Sequence, residues 1–170
     1  PSNTKFKGSE KIISALRSLS KKGVVFELKF IQDMNHYELL SNLSDADVVI
    51  DQVAPYTAGL GHEAMASGCA VASGNVSGVH PFPSNQIPVW HIDFSNIEEN
   101  LEQLLTDKKL RIDLAERGRE YVEKHCFREP FGKYILDLLT SKDSRSYYPR
   151  YFVDDYVNTH LEPVPEYLQS

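Results

Sequence analysis

Two cysteines in 170 residues, Cys69 and Cys126, are too few for a disulfide framework. Cys69 falls in an expected buried strand and Cys126 in an expected helix. Both read as reduced thiols of a cytoplasmic protein, with a single Cys69–Cys126 bridge as the alternative. Basic charge is also scarce. Eighteen Lys and Arg face 24 Asp and Glu, a net charge of −6. That excludes a general nucleic-acid binder, which needs a basic face. It does not exclude a local phosphate site, which a few lysines can furnish. No apolar run is long enough to span a bilayer, and the N-terminal residues carry no leader pattern, so a membrane-spanning chain is not expected. His62, His80 and His91 show no metal-ligand spacing with other His, Cys or acidic residues, so no metal cofactor is expected.

What is present is enough to fold. Apolar residues make up 41% of the chain, too many for a disordered segment, and the length suits one domain with its own core. The chain begins at Pro1 rather than Met, which reads as an excised or processed piece of a longer protein.

Helical and strand patterns alternate. Ser9 to Lys22 predicts a helix with Ile12, Ile13, Leu16 and Leu19 on one face, ended by Gly23. Val24 to Ile31, rich in β-formers, predicts a strand. Asn35 to Leu43 predicts a short amphipathic helix. Asp47 to Asp51 is a nearly continuous apolar run, as expected of a strand covered on both faces. Leu60 to Ser67 predicts a helix, Cys69 to Ala72 a buried strand, and Val89 to Ile92 another. Ser95 with Glu98 three residues on predicts a capping box, opening a helix with Ile97, Leu101, Leu104 and Leu105 inward. Asp107 is expected to cap the next helix, with Leu110, Leu114, Tyr121 and Val122 inward. Pro130 suits the first turn of a last helix, which carries Phe131, Tyr134, Ile135, Leu138 and Leu139. The alternation implies an α/β fold with a Rossmann-like parallel sheet flanked by helices and right-handed crossovers.

Residues 141–170 differ in character. They hold Tyr147, Tyr148, Tyr151, Tyr156 and Tyr167, five of the nine tyrosines, with Phe152, Pro149, Pro163 and Pro165. Disordered tails are usually poor in aromatics. The expected division is therefore a domain over 1–140 and an aromatic, proline-rich tail over 141–170.

The chemistry concentrates between Asp51 and Gly68. Val48-Val49-Ile50 leads into a glycine-bearing loop, then a short helix with an acid near its start. Glycines let backbone approach a ligand closely. Free N–H groups at a helix start attract anions. A nearby carboxylate accepts hydrogen bonds from ribose hydroxyls in dinucleotide folds. Asp51 and Gln52 end a strand at its C-terminal edge, where ligands bind in open α/β sheets; they either contact the ligand or support the loop.

Glu63-Ala64-Met65-Ala66-Ser67-Gly68-Cys69-Ala70-Val71 resembles the Glu-Ala-Met-Ala-x-Gly-x-Pro-Val signature of family-four retaining glycosyltransferases of the GT-B fold. Lys7-Gly8 resembles the Lys-Gly that opens the first helix of that family's donor domain. Pro1-Ser2-Asn3 and Ala46-Asp47-Val48-Val49-Ile50-Asp51-Gln52 are similar to a subgroup with Asp-Gln after this strand. The resemblance covers about residues 1–140 and implies the C-terminal, nucleotide-sugar-binding half of a two-domain enzyme. The partner it implies is a separate N-terminal, acceptor-binding domain, on which the tail either docks or, alternatively, packs back on its own domain.

Several residue roles follow from the resemblance. Glu63 is expected to bind the donor ribose, since two carboxylate oxygens can accept from two vicinal hydroxyls; the alternative is an acid that only complements the helix dipole. Gly59, Leu60 and Gly61 are expected to present backbone N–H groups to the diphosphate, with Thr57 adding a hydroxyl. Lys7 is expected to neutralise the leaving diphosphate, with Gly8 beside it and Lys5 assisting. The alternative for either lysine is an ordinary solvated charge. No metal is implied.

The pattern departs from the family in three places. Pro55 stands eight positions before Glu63, where a first Glu would touch the donor sugar. Ser2 stands where an Arg often precedes Lys-Gly. The stretch between Phe30 and Asn35 is short by about one helix and one strand, so a sheet of about five strands is expected. Two other functions compete with sugar transfer. One is a non-catalytic GT-B-like interaction module, which the losses at positions 55 and 2 favour. The other is a dinucleotide oxidoreductase or a sugar-nucleotide epimerase. An oxidoreductase would want Gly-x-Gly-x-x-Gly after its first strand, and none occurs near the N-terminus.

Overall fold

The computed structural model describes residues 7–53, 59–74 and 87–140, with six side chains of the last helix (Arg128, Pro130, Phe131, Tyr134, Leu138 and Leu139) excepted. The elements in order are α1 (Ser9–Lys21), α2 (His36–Ser44), β1 (Val48–Ile50), α3 (Gly59–Ala66), β2 (Ala70–Ser73), β3 (Trp90–His91), α4 (Ile97–Thr106), α5 (Lys108–His125) and α6 (Arg128–Thr140). The strands form one parallel sheet in the order β1-β2-β3. Val49 pairs with Val71, and Ala72 with Trp90. The α/β class with a parallel sheet flanked by helices is as the sequence implies.

Alternate residues of β2 feed two cores, one on each face. Ala70 and Ala72 join Leu16, Leu19, Leu101 and Leu104 under α1 and α4. Cys69, just ahead of the strand, and Val71 join Leu43, Val49, Ala64, Met65 and Val122 under α2, α3 and α5. Every residue of β2 is buried. Small residues there let helices close on both faces of the sheet.

The helix ends follow from local chemistry. Gly23, at φ 91°, and Gly68, at φ 84°, each take the left-handed conformation that a β-carbon disfavours. The amides of Gly23 and Val24 donate to Ser20 and Leu19. Those of Gly68 and Cys69 donate to Met65 and Ala64 in the same pattern, so both ends are Schellman motifs. Asn35 and Glu38 form a reciprocal capping box on α2. Asp107 caps α5 by accepting from the Leu110 amide at 3.0 Å. Two arginines of α5 reach back to other helices' last carbonyls: Arg111 donates to Leu104 and Leu105, and Arg119 to Ala66. Pro130 lies in the first turn of α6.

Two expected elements are corrected. Val24–Ile31 is not a strand. Val24 and Phe26 do pack against the first core while Val25 is 95% exposed, an alternation confined to these three residues, since Leu28 and Phe30 are 52% and 56% exposed. No strand among the described residues pairs with this backbone, however, and a strand needs a ladder partner. The sheet accordingly has three strands among the described residues, not about five. The Ser95–Glu98 capping box is absent as well. Asn96 is the N-cap of α4 and makes no side-chain cap bond. The Ser95 amide and hydroxyl both donate to Asp93 at 2.6 Å, which holds the Asp93 carboxyl below its usual range. Glu98 is taken by α1: Lys22 lies 2.8 Å from it and the Ser18 hydroxyl donates to it at 2.8 Å. These contacts, Lys22 foremost, hold Glu98 below the usual carboxylate range and raise Lys22.

Candidate functional site

The C-terminal edge of the sheet is built by three chain crossings. The Asp51 amide continues the ladder by donating to Ala72 at 3.0 Å, and the Gly74 amide donates to Gln52 at 2.7 Å. The Val53 amide donates to the Lys7 carbonyl at 2.9 Å, which ties the start of α1 to the end of β1. Gly74 is required at its crossing, because a β-carbon there would lie 1.6 Å from the Val53 carbonyl oxygen. Gly8, with φ 77°, sits where a β-carbon would come within 2.9 Å of Val53 and 3.0 Å of Phe94.

Lys7, Gly8, Asp51 and Gln52 are therefore brought to one edge. Gly8 is the N-cap of α1 and supplies no side-chain cap, so the first-turn amides of α1 lack that partner. Lys7 is half-buried; Asp51 and Gln52 are buried and both have further partners in the structure. Lys5 and Thr57 lie outside the described residues, as do Ser2, Pro55 and the 141–170 tail.

Gly59, Leu60 and Gly61 form the first turn of α3 rather than a loop before it. First-turn amides have no intrahelical acceptor, so the N–H supply expected of this segment arises from the helix start itself. At Gly59 an added β-carbon would meet no described residue within 4 Å. Packing against the described residues does not demand glycine there.

Glu63 is the fifth residue of α3, and the helix has no acid in its first turn. The helix dipole acts mainly on the terminal turn, so macrodipole compensation is a poor account of this residue. Its carboxylate instead meets His36, the first residue of α2, with Nε2 and Oε1 3.1 Å apart. An ionised carboxylate only accepts, so Nε2 carries the hydrogen. His36 was not singled out from sequence. Its partner is 27 positions away, and only the packing of α2 on α3 joins them.

The other expected chemistry falls elsewhere. His62 and His125 flank Tyr121, with ring centroids 6.3 and 4.9 Å from it; burial raises the Tyr121 phenol. His80 is outside the described residues. Among those described, no group of three or more His, Cys, Asp or Glu is placed to hold a metal ion, and no helix is long and apolar enough to cross a membrane. Both cysteines are free thiols. An open cleft of about 580 Å³ lies between α1 and the start of α4. It is lined by Lys11 and Lys22 but also by Glu98, Glu99 and Glu102, so its charge does not favour an anion.

No family model matches the chain, and no curated protein matches it. Among solved structures, it is similar to the C-terminal domain of a glycosyl transferase group 1 family protein (LpcC) from Francisella tularensis. The TM-score is 0.52 at 19% identity, over 74% of this chain and 82% of that one. The fold is that of a GT-B C-terminal domain. In this GT-B-like domain, the edge carrying Lys7, Gly8, Asp51 and Gln52 is the C-terminal end of the parallel strands, the usual ligand side of open α/β sheets.

Proposed function

We propose that this domain binds the nucleoside diphosphate part of a sugar donor and is the donor half of a retaining glycosyltransferase. The observation that carries the reading is the convergence of Lys7-Gly8 and Asp51-Gln52 on the C-terminal edge of the sheet. The Glu-Ala-Met-Ala helix α3 follows that edge, in a chain with this fold. The first-turn amides of α3 and the Lys7 ammonium receive the diphosphate. The open space at Gly59 suits close backbone approach. Glu63 accepts from the ribose hydroxyls.

In transfer, the bond from the sugar's anomeric carbon to the phosphate oxygen breaks and its electron pair stays on the diphosphate. An acceptor hydroxyl oxygen bonds to that carbon and its proton passes to the departing phosphate oxygen, with the anomeric configuration retained. Lys7 stabilises the charge that builds on the leaving group. The acceptor is held by a separate N-terminal domain. A second reading, a GT-B-like interaction module without catalysis, is favoured by Pro55 and Ser2 at positions where the resemblance expects Glu and Arg.

Calorimetry with UDP, GDP and ADP on the wild-type chain and Glu63→Ala tests the proposal. The expected outcome is micromolar to low-millimolar binding of one nucleotide, lost in the variant. A folded chain that binds none of the three favours the interaction module.

A further inference from the structure

Two anchored helices hold the His36–Glu63 contact. The Asn35–Glu38 capping box fixes the first turn of α2, and Leu43 at its far end is fully buried in the second core. On α3, Glu63 is followed directly by Ala64 and Met65, both fully buried in that same core. The two backbones are therefore set by packing, and the side chains meet across them at 3.1 Å. The His36 and Glu63 side chains remain 64% and 39% exposed. An ion pair that open to water adds little to stability. What the contact does is restrict the carboxylate. It occupies one lone pair of Oε1 and selects one orientation, leaving the remaining acceptor sites of both oxygens for a ligand.

We propose that His36 is a positioning residue for the ribose of the donor, acting through Glu63. This rests on the reading that Glu63 binds ribose hydroxyls. A carboxylate already held in its binding orientation loses less rotamer freedom when the ligand arrives, so affinity rises without a new protein–ligand contact. The effect belongs to the hydroxyls alone. A ligand without them gains nothing from an oriented carboxylate.

The test is calorimetry with whichever of UDP, GDP and ADP the wild-type chain binds, and with its 2′,3′-dideoxy counterpart. His36→Ala is expected to bind the ribonucleotide about twofold to fivefold more weakly and the dideoxynucleotide as the wild type does. His36→Gln, which keeps an N–H donor, is expected to recover most of the loss. Wild-type affinity of His36→Ala for the ribonucleotide would overturn the inference, as would an equal loss on both ligands. Glu63→Ala separates the two levels. If it weakens the ribonucleotide while His36→Ala does not, only the positioning role fails. If it binds normally, or the wild type binds no nucleotide, the ribose reading itself fails.

Discussion

Cys69 and Cys126 show how far one residue's environment can set its chemistry. Cys69 is fully buried and its thiol donates to the Leu43 carbonyl at 3.1 Å. Burial first, and the nearby Asp47 charge second, push this thiol from 9.0 up to about 11. Cys126, at the C-cap of α5, is exposed. A thiol reagent at neutral pH should therefore modify one cysteine rapidly in the folded chain and the second only after denaturation; two rapid equivalents would contradict this. The stability effect has a definite sign. The unfolded thiol ionises near 9.0, before the folded one near 11, so the Cys69 contribution is intact below 9 and is lost as pH rises through that window. Asp107 was legible as a cap because capping is local chemistry. The His36–Glu63 contact was not, since nothing near either residue encodes a partner 27 positions away.

At the scale of elements, the loop crossings after β1 and β2 make glycine do two different jobs. Gly74→Ala would force a β-carbon against the Val53 carbonyl, a clash of backbone on backbone. It should destabilise the domain by roughly 3 kcal/mol in urea unfolding. Gly59→Ala meets no described neighbour and should leave stability unchanged or raise it by up to about 1 kcal/mol. Under the proposed function it should still weaken nucleotide binding, because the new methyl occupies ligand space. Equal stability effects at the two positions would contradict the geometry. Helix positions were legible from the 3.6-residue apolar spacing, to within a residue or two at each end. The Val24–Ile31 segment was not: its residue types are those of a strand, but pairing is decided by a neighbour's backbone. Ser95 and Glu98 likewise satisfied a capping rule, yet Asp93 and Lys22 offered them stronger partners.

For the whole molecule, the three-layer arrangement follows from one buried strand, β2, whose small residues admit helices on both faces. The α/β class and parallel sheet were legible because apolar runs alternate with amphipathic helices. The count of strands depends on pairing, and among the described residues three are paired. The placement of Lys7 against Val53 was not legible, because their meeting is tertiary. The central claim is that a nucleotide binds at the C-terminal edge of this sheet. Amide chemical shifts followed during titration with UDP, GDP and ADP test it most directly. The account predicts that, for one nucleotide, the largest changes fall at Lys7-Gly8, Asp51 to Val53 and Gly59 to Glu63. Changes centred instead on the α1–α4 cleft at Lys11, Lys22 and Phe94, or no change with any of the three, would contradict it.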